Sequence, residues 1–475
     1  MASFLALQFR EGPPALLYSV HDEYAAATNA RTPNSNFLRG AAWSPDGACL
    51  LTVSDDNCLR IYDTPSEAFQ LAEQSQGATA AAGGSADPQQ RQQQQPQPAG
   101  QRAPAQPPVA GDSLQPALRM QGGEALYDWH WFPGMNAGDP ASCCLATTGR
   151  AQPLHLWDAV TGELRCSYRA YNELDEVEPA HTLAFSADGT ALFAGFNRCL
   201  RRFQVARPGR DCSTVMAYKK GGEGLPGIVS CIAANPDRSG MLAAGSYSGG
   251  AALLDSRTRE LLCLLEGGHV GGLTHLCFSA CGNFLYTGAR RDPSILCWDV
   301  RYSSGVVYSL PRASCGTNQR IYFDVEPCGR HLATGGEDGQ VRVFDLREGS
   351  EAARFPAAAD TVCAVSFHPV LPLLTTASGQ RRYPLAPHDD SDSDSSSSGL
   401  ESNSELAASS GNDSGGEGAA RQSSLAADEN VLRVWCFAAQ PLQAADAAAE
   451  VADCDQHQAA AGEEADAAEP MAADA

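Results

Sequence analysis

Three stretches of the sequence hold residue types that could do chemistry. His275, Cys277 and Cys281, in HLCFSAC, present one imidazole and two thiols at a spacing loosely compatible with zinc. GEGLPG, from Gly222 to Gly227, fits the GxGxxG pattern of a phosphate-cradling loop. SILCWDV, residues 294–300, closes an apolar run on a Trp-Asp pair that could belong to a reactive site. Each has a simpler explanation in the elements around it. Cys281 fills the slot that Asp takes in SPDG and SADG, and Cys277 that of an apolar strand residue, so packing accounts for both. Pro226 interrupts GEGLPG, and the strand-like IVSCIA follows it where a phosphate loop needs a helix. GxSxG, HExxH and P-loop patterns are missing, and paired carboxylates occur only in turns or the tail. We therefore expect no enzyme, no metal and no cofactor.

The Trp-Asp pair belongs to a repeat. LRIYD (59–63), LHLWD (154–158), LRRFQ (200–204), AALLD (251–255), ILCWD (295–299), VRVFD (341–345) and LRVWC (432–436) end 95, 46, 51, 44, 46 and 91 residues apart. The two long gaps hold the Gln/Pro/Ala-rich segment 66–113 and the acidic, Ser-rich segment 384–429. Neither can bury enough apolar surface to offset its ordering entropy, so both are expected to be disordered insertions. Without them seven nearly equal units remain.

Within a unit, an apolar strand leads to a polar turn such as AAWSPDG or LAFSADG. A second strand of small residues follows, then the aromatic-Asp strand, and in most units a fourth such as ELRCSYRA. Four short strands about every 45 residues describe one β-propeller blade. The units resemble WD repeats, in which the aromatic packs between neighbouring blades and the pair is structural. We expect an all-β, seven-bladed propeller over 37–437. The seventh unit ends at Phe437 without a convincing fourth strand, and ALLYSV (15–20), in the N-terminal segment 1–36, is the candidate that closes the ring. Residues 438–475 are expected to be a disordered acidic tail.

Charge supports this division. The chain of 475 residues carries −23. From residue 384 onward 19 Asp/Glu against two Arg give −17, which leaves −6 for the first 383 residues. The 17 cysteines are an odd number without CxxC, mostly inside apolar runs, which fits a reducing compartment. MASFLALQFREGPP is too short in apolar residues for a signal peptide, and no run approaches a membrane span, so an intracellular protein is expected.

In a propeller, the loops between strands two and three and those between blades share one face. Here they carry Arg39, Arg150, Arg198, Lys219, Lys220, Arg290, Arg291, Arg320, Arg381 and Arg382, with the aromatics Tyr171, Phe196, Tyr247 and Tyr322 nearby. The opposite face, with Arg207 and Arg210 among others, balances its arginines with carboxylates. Arginines beside aromatic rings suit unpaired RNA bases, and we take the first face, with Tyr247 and Tyr322, as the RNA-binding candidate. The acidic total favours the competing expectation, an adaptor for protein partners alone. His269, Thr287, Asp292 and Trp298 occupy the positions of a hydrogen-bonded chain across blade 5, a rigidifying network. SDSDSSSSG in the acidic insertion suits acid-directed kinases, and phosphorylation there would let the insertion compete with RNA.

Longer segments are more specific than WD repeats in general. NFLRGAAWSPDGACLLT, LHLWDAVTGELRCSYRAYNELDE, ARPGRDC, GGHVGGLTHLCFSACGNFLYTGARRD, TNQRIYFD and HPVLPLLTTASGQR resemble the telomerase Cajal body WD-repeat proteins over about residues 37–64 and 127–382. The resemblance implies a scaffold that binds small Cajal body RNAs of the box H/ACA type, and telomerase RNA where its loop motif exists. It further implies delivery of these ribonucleoproteins to the Cajal body in the nucleus, beside the pseudouridine synthase core proteins, with no membrane and no small-molecule substrate. Only about 36 residues precede NFLRG, so that family's long N-terminal extension is expected to be absent.

Overall fold

The computed structural model describes residues 5–9, 13–25, 36–66, 68–69, 114–218, 224–237, 239–302, 305–381 and 429–441. Apart from Ser66, Ala68, Phe69 and Glu429 at their edges, the two expected insertions lie outside the described residues.

The alternating apolar strands form seven antiparallel four-stranded sheets, so the fold is an all-β, seven-bladed propeller. From blade 1 to blade 7 the innermost strands are Leu38–Trp43, Leu126–Trp131, Thr182–Phe185, Val229–Ala234, Leu273–Phe278, Phe323–Val325 and Val362–Phe367, and they surround a central channel. Inner strands are buried on both faces, as in Val362–Phe367, whereas the outermost strand of blade 5, Val306–Pro311, shows mostly exposed side chains. The core is correspondingly split into clusters between adjacent blades. Trp298 packs between blades 4 and 5 with Leu253, Leu276 and Leu296, and Trp435 between blades 6 and 7 with Val343 and Phe355. Burying an indole this completely contributes on the order of 2–3 kcal/mol.

The SPDG turns are built by their own polar residues. Ser44 Oγ donates to Asp46 Oδ1 (2.6 Å), which also accepts from Ala48 N (3.1 Å). Gly47 follows at φ +75°, where a Cβ would strike the ring of His368 at 2.3 Å.

Blade 7 takes its outermost strand from the other end of the chain. Ala15–Val20 pairs with Leu432–Cys436, and a single helical turn, Asp22–Ala25, then enters between blades 7 and 1. There Tyr24, fully buried, shares hydroxyl hydrogen bonds with Thr52 (2.8 Å) and Tyr62 (2.7 Å). Glu23 accepts from Arg60 Nε (2.7 Å) and, through both oxygens, from Arg119 (2.8 Å each), which hold its carboxyl down at about 2.

Two boundaries differ from composition. Residues 438–475 begin with a strand, Ala438–Pro441, which pairs with Leu5–Gln8 as a separate ribbon. Tertiary pairing overrides the weak strand propensity of AAQP: Ala439 and Leu7 are buried beside Phe437, and Leu7 N donates to Glu326 Oε1 (3.1 Å). Ala68, inside the expected first insertion, is buried against the blade 7–blade 1 cluster.

Candidate nucleic-acid interface

The strand-two-to-three loops and the interblade segments meet at one mouth of the channel. The Arg290 guanidinium stacks on the Tyr247 ring, 4.1 Å from its centroid. Arg320, which precedes the inner strand of blade 6, reaches to blade 4, where its Nη2 donates to Tyr247 Oη and to the Ser230 carbonyl (3.2 Å each). Two residues later and just ahead of that strand, Tyr322 projects inward, its ring 5.1 Å from His275 in blade 5 and 6.1 Å from Trp129 in blade 2. Blades 6 and 2 lie across the channel from one another, so the Tyr322 ring stands in it as a stopper. Burial pushes its hydroxyl above the usual phenol range, against the pull of the Arg320 charge. On the rim, exposed Arg381 donates to Asp55 Oδ1 (2.6 Å) and lies 5.6 Å from the Phe37 centroid.

These contacts gather Tyr247, Arg290, Arg320 and Tyr322 into one surface, with Arg39 beside them on the inner strand of blade 1. Arg150, Arg198 and Arg291 are exposed on separate loops, Arg198 with its guanidinium 5.3 Å from the Tyr218 centroid. Arg198 and Arg291 hold positive φ (63° and 51°), which tight two-residue turns demand. Lys219, Lys220 and Arg382 lie outside the described residues.

The arrangement can grip an unpaired polynucleotide, with guanidinium forks for phosphates and a ring-guanidinium stack for bases.

The WD domain, G-beta repeat, family matches residues 30–63, 260–299 and 312–345. The chain is 42% identical over 359 residues to the human "Telomerase Cajal body protein 1", a match covering 74% of this chain and 59% of that one. It is 31% identical over 357 residues to the Drosophila melanogaster "Telomerase Cajal body protein 1 homolog" (74% and 58%). A Schizosaccharomyces pombe relative, "Guanine nucleotide-binding protein negative regulator 1", is 30% identical over 317 residues, or 65% of this chain and 70% of the relative. The chain belongs to the telomerase Cajal body WD-repeat family. It spans about 60% of the length of the animal members of that family that it matches.

In this Cajal body family member several residues sit elsewhere than the loop reading placed them. Phe196 is fully buried, with Arg201 4.7 Å from its centroid, and offers no stacking face. Arg210, expected on the opposite face, lies 4.4 Å from the Tyr171 centroid and pairs with Asp175 (2.7 Å). The cause is local: the 205–211 turn folds alongside the outer strand of blade 2, with Arg169 N donating to Gly209 O (2.7 Å) and Gly209 N to Ser167 O (3.0 Å).

Sequence reasoning missed Asp128, buried in the inner strand of blade 2. It accepts from Thr182 Oγ1 (2.6 Å) and Leu183 N (3.0 Å) of blade 3 and so locks the two blades beside the channel. Its signal was faint: a carboxylate in the apolar run LYDWHW. Tyr127 and His181, stacked at 5.8 Å, were missed for the same reason.

In blade 5, His269 Nδ1 bonds Asp292 Oδ2 (3.0 Å), His269 Nε2 meets Thr287 Oγ1 (2.7 Å), and Trp298 Nε1 donates to that same hydroxyl (3.0 Å). Burial lowers the imidazole's pKa, against Asp292. A neutral ring fits all three bonds, with Nδ1–H donating to the carboxylate and Nε2 accepting from threonine. His275 Nε2 donates to Phe323 O (3.0 Å), while Cys277 Sγ lies against Phe278 O and Cys281 Sγ against Ser279 Oγ. Among the described residues no three His, Cys, Asp or Glu converge as a metal site.

Proposed function

We propose that this propeller is a non-catalytic scaffold that binds small Cajal body RNAs of the box H/ACA type and holds them for their nuclear body. The observation that carries this is Tyr247, held between the Arg290 guanidinium on its face and Arg320 at its hydroxyl. That arrangement gives a base a rigid platform and gives the flanking phosphates two forks. The names of the animal relatives give a telomerase and Cajal body association, which supports Cajal body clients over other single strands. On this reading telomerase RNA is among the clients and H/ACA core proteins are neighbours in the particle.

Crosslinking of the tagged protein in its own cells, followed by sequencing of attached RNA, tests the reading. Enrichment of small guide RNAs at one short loop motif is expected, with its loss in the Arg290→Glu/Arg291→Glu variant. Background RNA with strong co-purifying proteins would replace this reading with the protein-only adaptor.

A further inference from the structure

The inner strands of blades 1, 2, 4, 5 and 7 each carry a bulge at their second residue: Arg39, Tyr127, Ser230, Thr274 and Cys363. A bulge leaves that residue outside the ladder and re-aims its side chain. In three blades the side chain ties down neighbouring carbonyls. Ser230 Oγ donates to Gly245 O (3.2 Å) and Leu273 O (2.7 Å), Thr274 Oγ1 to Gly288 O (3.2 Å), and Cys363 Sγ to Ala377 O (3.3 Å) and Leu38 O (3.0 Å). A small hydroxyl or thiol therefore suffices for the structural task.

Blade 1 places an arginine there. Among the described residues the Arg39 guanidinium makes no hydrogen bond and no ion pair. Burial lowers its pKa, Tyr322 and Asp55 favour its charge, and Arg320 and Arg381 oppose it. Asp55 is already committed to Arg381 at 2.6 Å. Asp128, the other nearby carboxylate, accepts from Thr182 Oγ1, Leu183 N and Trp129 N. Counting Arg290, whose guanidinium makes no hydrogen bond among the described residues and rests only on the Tyr247 ring, four guanidiniums face two occupied carboxylates at this mouth, and Arg39 has neither an acceptor nor a ring. Arg39 is half-buried, and a cation at the channel mouth without a counter-ion leaves positive charge that an anion would offset.

We propose that Arg39 and Arg320, with the hydroxyls of Tyr247 and Tyr322, form a socket for a phosphate group in the channel mouth. A phosphate presents enough acceptor oxygens to satisfy both guanidiniums and both hydroxyls. It can arrive as a backbone phosphate of RNA or as a small free polyphosphate. The first source rests on the function proposed above; the socket itself rests on the unpartnered arginine.

The test uses the full chain with inorganic pyrophosphate as probe, titrated by calorimetry and thermal shift at fixed ionic strength. Arg39→Gln is compared with Arg207→Gln, an exposed arginine of the opposite face. Saturable binding is expected in the wild type and in Arg207→Gln, with at least a tenfold loss in Arg39→Gln. Without ligand, Arg39→Gln should melt no lower than the wild type, because it removes a repelled charge. Equal pyrophosphate affinity in Arg39→Gln, or no binding by the wild type, overturns the socket. A short guide RNA then separates the sources. Displacement of the RNA by pyrophosphate, with a salt dependence shallower by about one ion in Arg39→Gln, assigns the socket to a backbone phosphate. Pyrophosphate binding without competition assigns it to a free anion. RNA binding by a chain that takes up no pyrophosphate overturns the socket and leaves the RNA scaffold standing; Arg39-dependent pyrophosphate binding without any captured RNA does the reverse.

Discussion

The Arg290 guanidinium carbon stands 4.1 Å from the centre of the Tyr247 ring, and the hydroxyl of that same ring accepts from Arg320, two blades further round. One aromatic side chain thus fixes two cations at the channel mouth. Tyr247→Ala is expected to weaken guide-RNA binding by about 1–3 kcal/mol, the scale of a lost stacking platform. Tyr247→Phe keeps the ring and removes only the Arg320 contact, so its loss should be about 1 kcal/mol or less. Filter binding at two salt concentrations, beside the melting temperature of each variant, separates the two effects.

The blade 5 network makes a prediction about stability alone. Thr287→Val preserves shape and removes the hydroxyl shared by His269 and Trp298. With two buried ring nitrogens unpaired, the expected cost is about 2–3 kcal/mol in urea unfolding, with RNA affinity of the folded fraction unchanged.

Acid sensitivity follows from two other histidines. Burial pushes His275 and His368 down to about 4. His368 Nε2 donates to Gly47 O (2.9 Å), while its Nδ1 accepts from Val370 N (3.1 Å) and Leu371 N (2.9 Å), an arrangement that only the neutral ring can make. The unfolded chain takes up these protons near pH 6.5 and the folded chain only near 4. Stability is therefore flat above pH 6.5 and falls between 6.5 and 4, by up to about 3 kcal/mol per histidine. Asp324 works the other way. Burial raises it to about 6, so it contributes stability as pH falls from 6 toward 4. A net loss is expected in that window, and His368→Gln should make the urea midpoint less dependent on pH, at some cost at pH 7.

Ring closure depends on the N-terminal segment. Removing residues 1–25 strips blade 7 of its outer strand and takes Leu17, Val20 and Tyr24 out of the blade 7–blade 1 cluster, a loss of roughly 5–8 kcal/mol of apolar contact. The truncated chain is expected to bind a hydrophobic dye and to aggregate through the exposed Leu432–Cys436 edge. Tyr24→Phe, which removes only the bonds to Thr52 and Tyr62, should cost about 1–2 kcal/mol and leave the ring closed.

The acidic segment springs from a fixed base. Ser378 Oγ donates to Glu429 O (2.8 Å), and Arg433 pairs with the Glu429 carboxylate, so the two sides of the excursion are tied together beside Arg381. Deleting residues 385–428 is expected to leave the melting temperature nearly unchanged. At low salt it should raise RNA affinity, and more so when the serines of SDSDSSSSG are phosphorylated. Equal affinity of the two chains would show that the segment does not reach the mouth.

The blade count was legible because its signal is local. Each aromatic-Asp strand, SPDG turn and small-residue strand lies within about 45 residues of its partners, and the period shows through both insertions. The mouth was legible only as a set of loop arginines. Tyr322 reaching across to Trp129, Arg320 reaching blade 4 and the 205–211 turn lying along blade 2 are tertiary events between residues far apart in sequence. The bulge that re-aims Arg39 leaves no mark either, because LRGAAW reads as an ordinary strand. The strand at Ala438–Pro441 was hidden by an alanine-rich composition that only its pairing with Leu5–Gln8 overrides.

The pairing of Ala15–Val20 with Leu432–Cys436 has a consequence for how the protein is made. Translation delivers Ala15–Val20 before blades 1 to 6 and Leu432–Cys436 after them, so those blades can form while the circle stays open. Until Cys436 has left the ribosome, blade 7 has an unpaired edge and the 7–1 seam lacks a wall, and closing that loop is intrinsically slow. Newly made chains thus pass through a long-lived horseshoe whose two raw edges match each other, and a neighbouring nascent chain can supply either one.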